Sequence, residues 1–146
     1  MVPRGWFDPL LRHLENPTIG LVGPVTNFVG NEAKIDIDYQ TLDEMEFFAD
    51  RYTSTHAGKT FDIMVLAMFC VAMRRNVFED IGFLDEKFGI GMFEDDDYSN
   101  RIREKGLRVV CAEDAFVHHF GQAAFKQLIE SGEYQFLRLN WANGDM

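Results

Sequence analysis

The sequence predicts an α/β fold in which one sheet is covered by helices. Short apolar segments with strand character alternate along the chain with segments that carry helix-capping signals, and this alternation is typical of α/β domains. The chain has 146 residues, enough for a single domain. Fourteen of them are Phe, so the chain has ample apolar side-chain volume for a core.

A short helix is predicted near the N-terminus. Asp8 is followed by a proline, and an acidic N-cap with proline at the first helical position is a common helix start. The Asn16-Pro17 pair ends this helix, because a residue before proline disfavours helical geometry. Three leucines are expected on the inner face of the helix: Leu10, Leu11 and Leu14.

A buried strand and a loop are predicted after this helix. Residues 19–25 (IGLVGPV) are apolar and contain two glycines, which favours a buried strand that runs into a turn. Residues 26–34 are predicted to form a loop, with a tight turn at Gly30-Asn31.

The middle of the chain begins with a predicted helix. Thr41 and Glu44 match the capping box, in which the two side chains satisfy backbone N–H groups that the first helical turn leaves unpaired. This helix is expected to reach about Ser54. Residues 63–73 are apolar on both faces, which favours a strand in the middle of a sheet, although a buried helix has the same periodicity.

Helices and strands are predicted to alternate through the second half of the chain. Asn76 and Glu79 repeat the capping spacing, and Gly82 is suited to end the helix in a left-handed conformation. A helix over residues 96–105 is expected to end at Gly106. Three further elements are predicted: strands over residues 107–111 and 115–117, and a helix over residues 125–140.

Charge, the length of the apolar runs and cysteine content argue against several classes of protein. The chain has 24 acidic and 14 basic residues, a net charge of −10, so it repels phosphate backbones and nucleic acid is not an expected partner. The longest apolar run has 11 residues, against roughly 20 for a membrane span. Cys70 and Cys111 lie in apolar segments, as expected of reduced buried thiols. Because the N-terminus also lacks the apolar core of a signal peptide, a cytoplasmic protein is expected.

The densest polar cluster is the acidic run from Glu94 to Asp97, within the segment GIGMFEDDDYSNRIREKG. Acidic residues at a helix N-terminus are stabilised by the helix dipole by about 0.3–1 kcal/mol each, but one or two would suffice for that purpose. The apolar pair before the run favours a partly inward orientation, in which a carboxylate can act as a general base or bind a cation.

Three other features carry both a functional and a structural interpretation. His118 and His119 follow a predicted strand, where adjacent side chains point to opposite faces, so at most one of them is expected to face a site. An anion could bind to Arg74-Arg75, and a sugar ring could stack on Trp6 or Trp141. Solvated and packing roles are the more common ones for these residue types.

Together these segments resemble the C-terminal half of a family 2 glycosyltransferase with the GT-A fold. The resemblance rests on GWFDPLLRHLENPTIGLVGPVTN and on MFCVAMRRNVFEDIGFLDEKFGIGMFEDDDYSNRIREKGLRVVCAEDAFVHHFG, which together cover nearly the whole chain. It implies a partial GT-A, Rossmann-like mixed sheet flanked by helices that lacks the N-terminal nucleotide-binding strands. Residues 1–146 would form a single domain, the acceptor-side and base-carrying portion of the enzyme.

The resemblance also implies roles for individual residues. The partners would be a nucleotide-diphospho-sugar donor and a glycan or other hydroxyl acceptor, and transfer would invert the anomeric carbon. Asp95 would be the general base, in an acidic motif with Glu94 and Asp97. His118, rather than His119, would help to hold a divalent cation, Mn²⁺ or Mg²⁺. The acceptor side of the cleft would be formed by Thr26, Asn27 and Met92.

The chain departs from the family pattern at its donor side. The Asp-x-Asp motif that binds metal and diphosphate is expected immediately before Gly5-Trp6, where this sequence does not contain it. The chain is therefore expected to be a truncated portion with little or no transferase activity alone. The alternative hypothesis is a non-catalytic binding module, and a partial sheet with an exposed edge favours self-association in either case.

Overall fold

The computed structural model describes residues 1–88 and 93–121 and confirms the predicted α/β class, with a mixed sheet flanked by helices. No helix in this part of the chain is long and apolar enough to cross a membrane. In chain order the elements are α1 (Phe7–Leu14), β1 (Ile19–Val25), α2 (Leu42–Thr55), β2 (Thr60–Asp62), α3 (Arg75–Ile81), a 3-10 helix (Glu86–Phe88), α4 (Glu94–Glu104) and β3 (Arg108–Phe116).

The central strand of the sheet is β3, and the strand order is β1-β3-β2. β1 runs parallel to β3, and their pairing extends from Ile19 opposite Arg108 to Val25 opposite Phe116. β2 runs antiparallel to β3 on its other side. Because β1 and β3 are parallel, the residues that follow them lie at the same edge of the sheet.

Different helices cover the two faces of the sheet. α1 packs on one face through Leu10 and Leu14, in a cluster with β-strand side chains such as Val110. α2, α3 and α4 contribute buried side chains to the cluster on the other face, where Phe116 is fully buried. Neighbouring residues of β3 join opposite clusters because side chains alternate along a strand.

α1 differs from its prediction in two respects. It begins at Phe7 with Trp6 as the N-cap, so Asp8 lies inside the first turn and the predicted Asp8 cap is wrong. Its charge is still favourable there, close to the positive end of the helix dipole. Leu11 is 47% exposed and does not share the inner face with the other two leucines, because successive helical residues are rotated by about 100°.

The predictions for β1 and α2 are confirmed. β1 spans the predicted residues, and all seven are buried. The backbone N–H of Glu44 donates to the Thr41 hydroxyl at 3.3 Å, and the backbone N–H of Thr41 donates to the Glu44 carboxylate at 3.0 Å. This capping box begins α2, which ends at Thr55, one residue beyond the predicted end.

The strand predicted over residues 63–73 is wrong. This segment is irregular. It contacts the sheet through the Ile63 N–H, which donates to the Val109 carbonyl at 3.0 Å, and through an isolated bridge in which Val22 and Ala72 exchange backbone hydrogen bonds of 3.0 and 2.8 Å. Ile63 and Leu66 are buried in the core, so the apolar composition of the segment reflects burial and not strand geometry.

The start of α3 also differs from its prediction. The helix begins at Arg75 with Arg74 as the N-cap, so the predicted cap at Asn76 is wrong. The end at Gly82 is confirmed, with φ +86°. Its ψ of −162° lies outside the left-handed helical region, and this combination is accessible mainly to glycine.

α4 and β3 follow the predicted order with changed boundaries. α4 begins two residues before the predicted start, and Gly106 follows it with φ +74°. The two short strands predicted over residues 107–111 and 115–117 form the single strand β3. The helix predicted over residues 125–140 lies outside the described residues.

Both cysteines are free thiols. Cys111 is buried in β3, and burial raises the pKa of its thiol to about 12. Cys70 is partly buried, and burial also raises the pKa of its thiol. Both groups therefore stay protonated at neutral pH and have little nucleophilic character.

Arg74 ties the start of α3 to the end of α1. Its guanidinium donates to the carbonyl oxygens of Leu14, Asn16 and Pro17 at 2.8, 3.1 and 3.0 Å. The Leu14 carbonyl lies in the last turn of α1 and lacks an intrahelical partner, whereas the Asn16 carbonyl also accepts from the Ile19 N–H. The Arg74 guanidinium therefore stabilises the fold. Because its donors are used in this way, it is not a free ligand for an anion.

We expect Arg74→Met to lower the free energy of unfolding by about 1.5–3 kcal/mol, the usual range for hydrogen bonds to a charged group. Arg75→Met is the matched control, because Arg75 is exposed and its ion pair within the described residues is with Glu79 on the same helix. Such pairs contribute about 0.3–0.5 kcal/mol. Urea denaturation monitored by circular dichroism measures both variants, and equal losses would contradict the role assigned to Arg74.

Candidate active site

The structure brings together the residues that follow β1 and β3. Thr26 and Asn27 follow β1, and His118 and His119 follow β3 after one intervening residue. In α/β sheets, ligands commonly bind outside the carboxyl ends of the strands. Most of the predicted acceptor and metal residues thus lie at one edge, while Met92 lies outside the described residues.

Asn27 is engaged with the backbone of His119. Its side-chain amide donates to the His119 carbonyl at 3.1 Å, and its side-chain oxygen accepts from the His119 N–H at 2.8 Å. This pair of bonds fixes the loop after β1 against the chain after β3. Thr26 is fully buried, so its hydroxyl is shielded from any acceptor in this arrangement. The predicted contact of both residues with an acceptor stays a prediction.

His118 is held by two partners. Its backbone N–H donates to the Met1 carbonyl at 2.9 Å, and the Met1 amino group donates to the His118 carbonyl at 2.7 Å. Its Nδ1 lies 2.5 Å from the Tyr39 hydroxyl. Burial, followed by the nearby N-terminal ammonium and His119, lowers the pKa of His118, so its imidazole is neutral at neutral pH.

The two imidazoles differ in what their Nδ1 atoms contact, a tyrosine hydroxyl for His118 and a backbone carbonyl for His119. Nδ1 of His119 lies 2.8 Å from the Phe28 carbonyl, which only accepts, so Nδ1 carries a proton, and in the neutral ring the lone pair is on Nε2. Its ring stacks on Phe69 with centroids 4.5 Å apart. The lone pair of His118 depends on Tyr39, since a tyrosine that donates to Nδ1 leaves the imidazole proton on Nε2.

The acidic run begins α4 and is directed towards the same edge of the sheet. Only residues 105–107 separate α4 from β3, and such a short connection makes the helix run antiparallel to the strand. The N-terminus of α4 therefore points towards the carboxyl ends of β1 and β3. Phe93, the N-cap, adopts a left-handed conformation with φ +67°, which costs about 1–3 kcal/mol in a non-glycine residue and is commonly found at functional sites.

Glu94 and Asp95 form the unusual part of this run. Burial, followed by the charge of Glu94, raises the pKa of the Asp95 carboxyl. Oε2 of Glu94 is buried with no hydrogen-bond partner among the described residues. Two adjacent carboxylates, one with a raised pKa and one with an unsatisfied oxygen, are typical of a site that handles protons or cations.

Asp97 has a different environment. Its carboxylate pairs with Arg101 at 2.8 Å, and Arg101 also donates to the carbonyl oxygens of Ile81 and Phe83. These bonds join α4 to the end of α3. The geometry therefore gives Asp97 a part in positioning α4, and its predicted catalytic role stays a prediction.

The described residues do not by themselves form a divalent-cation site. Among residues 1–88 and 93–121, no three His, Cys, Asp or Glu side chains lie close enough to hold a metal ion. The letter pattern Asp-x-Asp does occur at Asp36 and Asp38, which the sequence interpretation overlooked. Asp38, however, pairs with Arg51 at 2.6 Å on the exposed side of α2. Metal binding by His118 stays a prediction.

Tyr39 is the site residue that the sequence interpretation missed. It lies just before α2 and 79 residues from its partner His118. Burial raises the pKa of Tyr39 to about 12, so the hydroxyl keeps its proton. No spacing pattern connects the two residues, and only the packing of α2 beside β3 brings them together.

The chain matches a known family of proteins. The family model described as "Glycosyltransferase like family 2" matches residues 2–132, so the chain belongs to this family. The three-stranded mixed sheet flanked by helices is consistent with a partial GT-A-like domain.

The chain is also similar to the O-antigen biosynthesis protein RfbC of Myxococcus xanthus. The two are 27% identical over 143 residues, which cover 92% of this chain and 11% of that protein. This chain thus spans about a tenth of the length of the relative it matches. No solved structure matches it significantly.

Proposed function

We propose that this chain is the acceptor-side, base-carrying part of an inverting glycosyltransferase. The substrates would be a nucleotide-diphospho-sugar and an acceptor hydroxyl, and a saccharide acceptor agrees with the O-antigen name of the relative. The single observation that carries the proposal is the acidic first turn of α4, which is directed towards the carboxyl ends of β1 and β3 and in which burial and the charge of Glu94 raise the pKa of Asp95.

Asp95 would take the proton from the acceptor hydroxyl as the hydroxyl oxygen attacks the anomeric carbon. The bond from that carbon to the leaving diphosphate breaks in the same step, so a single displacement inverts the configuration. A carboxylate with a raised pKa is a stronger base than an ordinary aspartate, and such tuning is usual for catalytic groups. Glu94 supports this role, because its charge contributes to the raised pKa.

A divalent cation, Mn²⁺ or Mg²⁺, belongs to the proposal as the group that would neutralise the leaving diphosphate. The described residues do not complete its site, and the role of Asp95 does not depend on it. His118 and His119 are the histidines that follow β3 at this edge, and the hydrogen bond from Nδ1 of His119 to the Phe28 carbonyl would leave Nε2 as the metal-binding nitrogen.

The stereochemistry of the product tests the proposal. A polypeptide that carries this chain together with a donor-binding half is incubated with UDP-, GDP- and dTDP-sugars and a saccharide acceptor. The product is detected by mass spectrometry, and its anomeric configuration is determined by NMR. Inversion is expected. Retention of configuration would overturn a mechanism based on one displacement with Asp95 as base.

We expect the 146-residue chain alone to bind nucleotide sugars weakly, with Kd above about 1 mM, and to have little transferase activity. The net charge of −10 repels a diphosphate. Several arginines that could offset this charge are occupied by carboxylates or carbonyls, namely Arg74, Arg101 and Arg108. Isothermal titration with UDP-glucose or GDP-mannose and Mn²⁺ measures this, and a Kd of about 10 µM or below would contradict the expected weak binding of the donor.

Self-association remains a prediction, and it would also serve the alternative function of a non-catalytic binding module. β2 pairs with three residues of the nine-residue β3, so much of one β3 edge has no strand partner within the described residues. Light scattering should show dimers or larger species as concentration increases. Because the net charge opposes association, added salt should strengthen it. A strictly monomeric chain at high concentration and high salt would contradict this expectation.

A further inference from the structure

A cavity of about 590 Å³ lies at the edge of β3 beyond the end of β2. It is a half-open depression flanked by the segment that leads into α1 on one side and by α2 on the other, with Asp114 and Phe116 of β3 between them. Its volume falls within the range of about 300–1,000 Å³ that is usual for small-molecule sites. None of the residues assigned above to proton transfer lines it.

The cavity combines an apolar floor with a polar rim. Trp6 and Phe47 provide its accessible apolar surface, and the buried residues Pro9, Ala49 and Phe116 lie beneath it. Asp43, Glu46 and Asp50 contribute carboxylates from one side of α2, since residues three and four apart lie next to each other on a helix. These acids outnumber Arg4, the basic residue of the lining, so the cavity repels a nucleotide diphosphate.

Phe47 is the most unusual residue of the lining. It lies on α2 between the rim carboxylates, and its side chain is 79% exposed. An aromatic ring costs free energy when it is left in water, so an exposed one beside a cavity is a candidate contact surface. Trp6 supplies a second, partly buried ring on the other side.

We propose that this cavity binds a neutral sugar unit of the acceptor, away from the reacting hydroxyl. A pyranose ring has an apolar C–H face that can lie on an aromatic ring, and peripheral hydroxyls that donate to carboxylates. The cavity offers both surfaces. A neutral ligand also avoids the repulsion that excludes the donor.

The position of the cavity agrees with an extended acceptor. Met1 pairs with His118, and Pro3, two residues later, lines the cavity. Two residues span at most about 7 Å, so the cavity begins close to the edge that carries His118. Phe116, which also lines the cavity, lies two residues before His118, so it likewise places the cavity close to this edge. One saccharide chain can therefore occupy the cavity and extend to the edge that carries His118. This inference rests on the proposed function for its choice of ligand.

The test is binding of neutral saccharides to the 146-residue chain without a donor. Saturation-transfer NMR and titration are performed with maltose, lactose and mannobiose, and we expect at least one to bind with a millimolar Kd. Phe47→Ala should weaken that binding at least about fivefold. Phe83→Ala is the matched control, since Phe83 is 80% exposed and does not line the cavity, and it should leave the Kd unchanged.

Two results would overturn the inference. One is the absence of saturation transfer from all three sugars at 50 mM, a concentration of roughly ten times the Kd expected for such a site. The other is binding of choline or spermidine, lost in Asp50→Asn, by a chain that binds no sugar, which would indicate a cation site. Because this assay needs neither donor nor transfer, its failure is distinct from failure of the proposed function, which is judged by the product of the transfer reaction.

Discussion

Asp95→Asn is expected to lower the rate of sugar transfer by about 10²–10⁴-fold, the usual contribution of a general base. The amide has the shape of the carboxylate but cannot accept the acceptor proton. The rate is measured in a polypeptide that carries this chain together with a donor-binding half. Because the loss is in proton transfer, kcat should fall while KM for the acceptor changes little.

The adjacent residue provides the control for this substitution. Asp96 carries the same charge on the same helical turn, but its side chain is exposed, and it is its backbone N–H that donates to Asp95. Asp96→Asn keeps that backbone bond and should leave kcat close to the wild-type value. Equal losses in the two variants would indicate that the acidic run acts through its total charge, and would contradict a base at Asp95.

The pH dependence of the same residue has a definite sign. Because the pKa of Asp95 is raised, the rate should increase with pH through a midpoint above the ordinary aspartate value of 3.8. The fold disfavours the charged form, so the native state loses stability as pH rises through this raised pKa. Asp95→Asn should therefore be more stable than wild type at neutral pH, with a gain that disappears below the ordinary pKa. A melting temperature of Asp95→Asn below that of wild type at neutral pH would contradict a raised pKa at Asp95.

The sequence predicted local features well where one segment contained all of the necessary chemistry. The capping box is complete within four residues, so Thr41 and Glu44 located the start of α2. β1 was predicted with correct bounds, since its apolar residues and the adjacent turn signals are contiguous. The acidic run at Glu94 to Asp97 was likewise visible as a local excess of charge.

The features that the sequence did not predict depend on contacts between distant segments. Asn27 and His119 are 92 residues apart, and Tyr39 and His118 are 79 residues apart. Their bonds arise from the parallel pairing of β1 with β3 and from the packing of α2. The strand prediction for residues 63–73 is wrong for a related reason, because an apolar, buried segment can be either a strand or an irregular chain packed into a core.

The core and the site edge are connected through Phe116. Its ring contacts those of Phe48 and Tyr39, with centroids 5.3 and 6.2 Å apart in edge-to-face orientations. Tyr39 in turn bonds to His118, two residues after Phe116. A change at this buried ring should therefore affect both the stability of the fold and the position of the histidine.

Phe116→Ala should lower the free energy of unfolding by about 3–5 kcal/mol, because it removes a fully buried ring and leaves a cavity between β3 and α2. Phe47→Ala removes the same ring from an exposed position on α2 and should change stability by about 0.5 kcal/mol or less. Urea denaturation compares the two variants, and histidine ¹⁵N chemical shifts report whether the Tyr39–His118 bond survives in the folded fraction. A loss below about 1.5 kcal/mol with an unchanged His118 signal would mean that neighbouring side chains refill the space, and that the site edge does not depend on this ring.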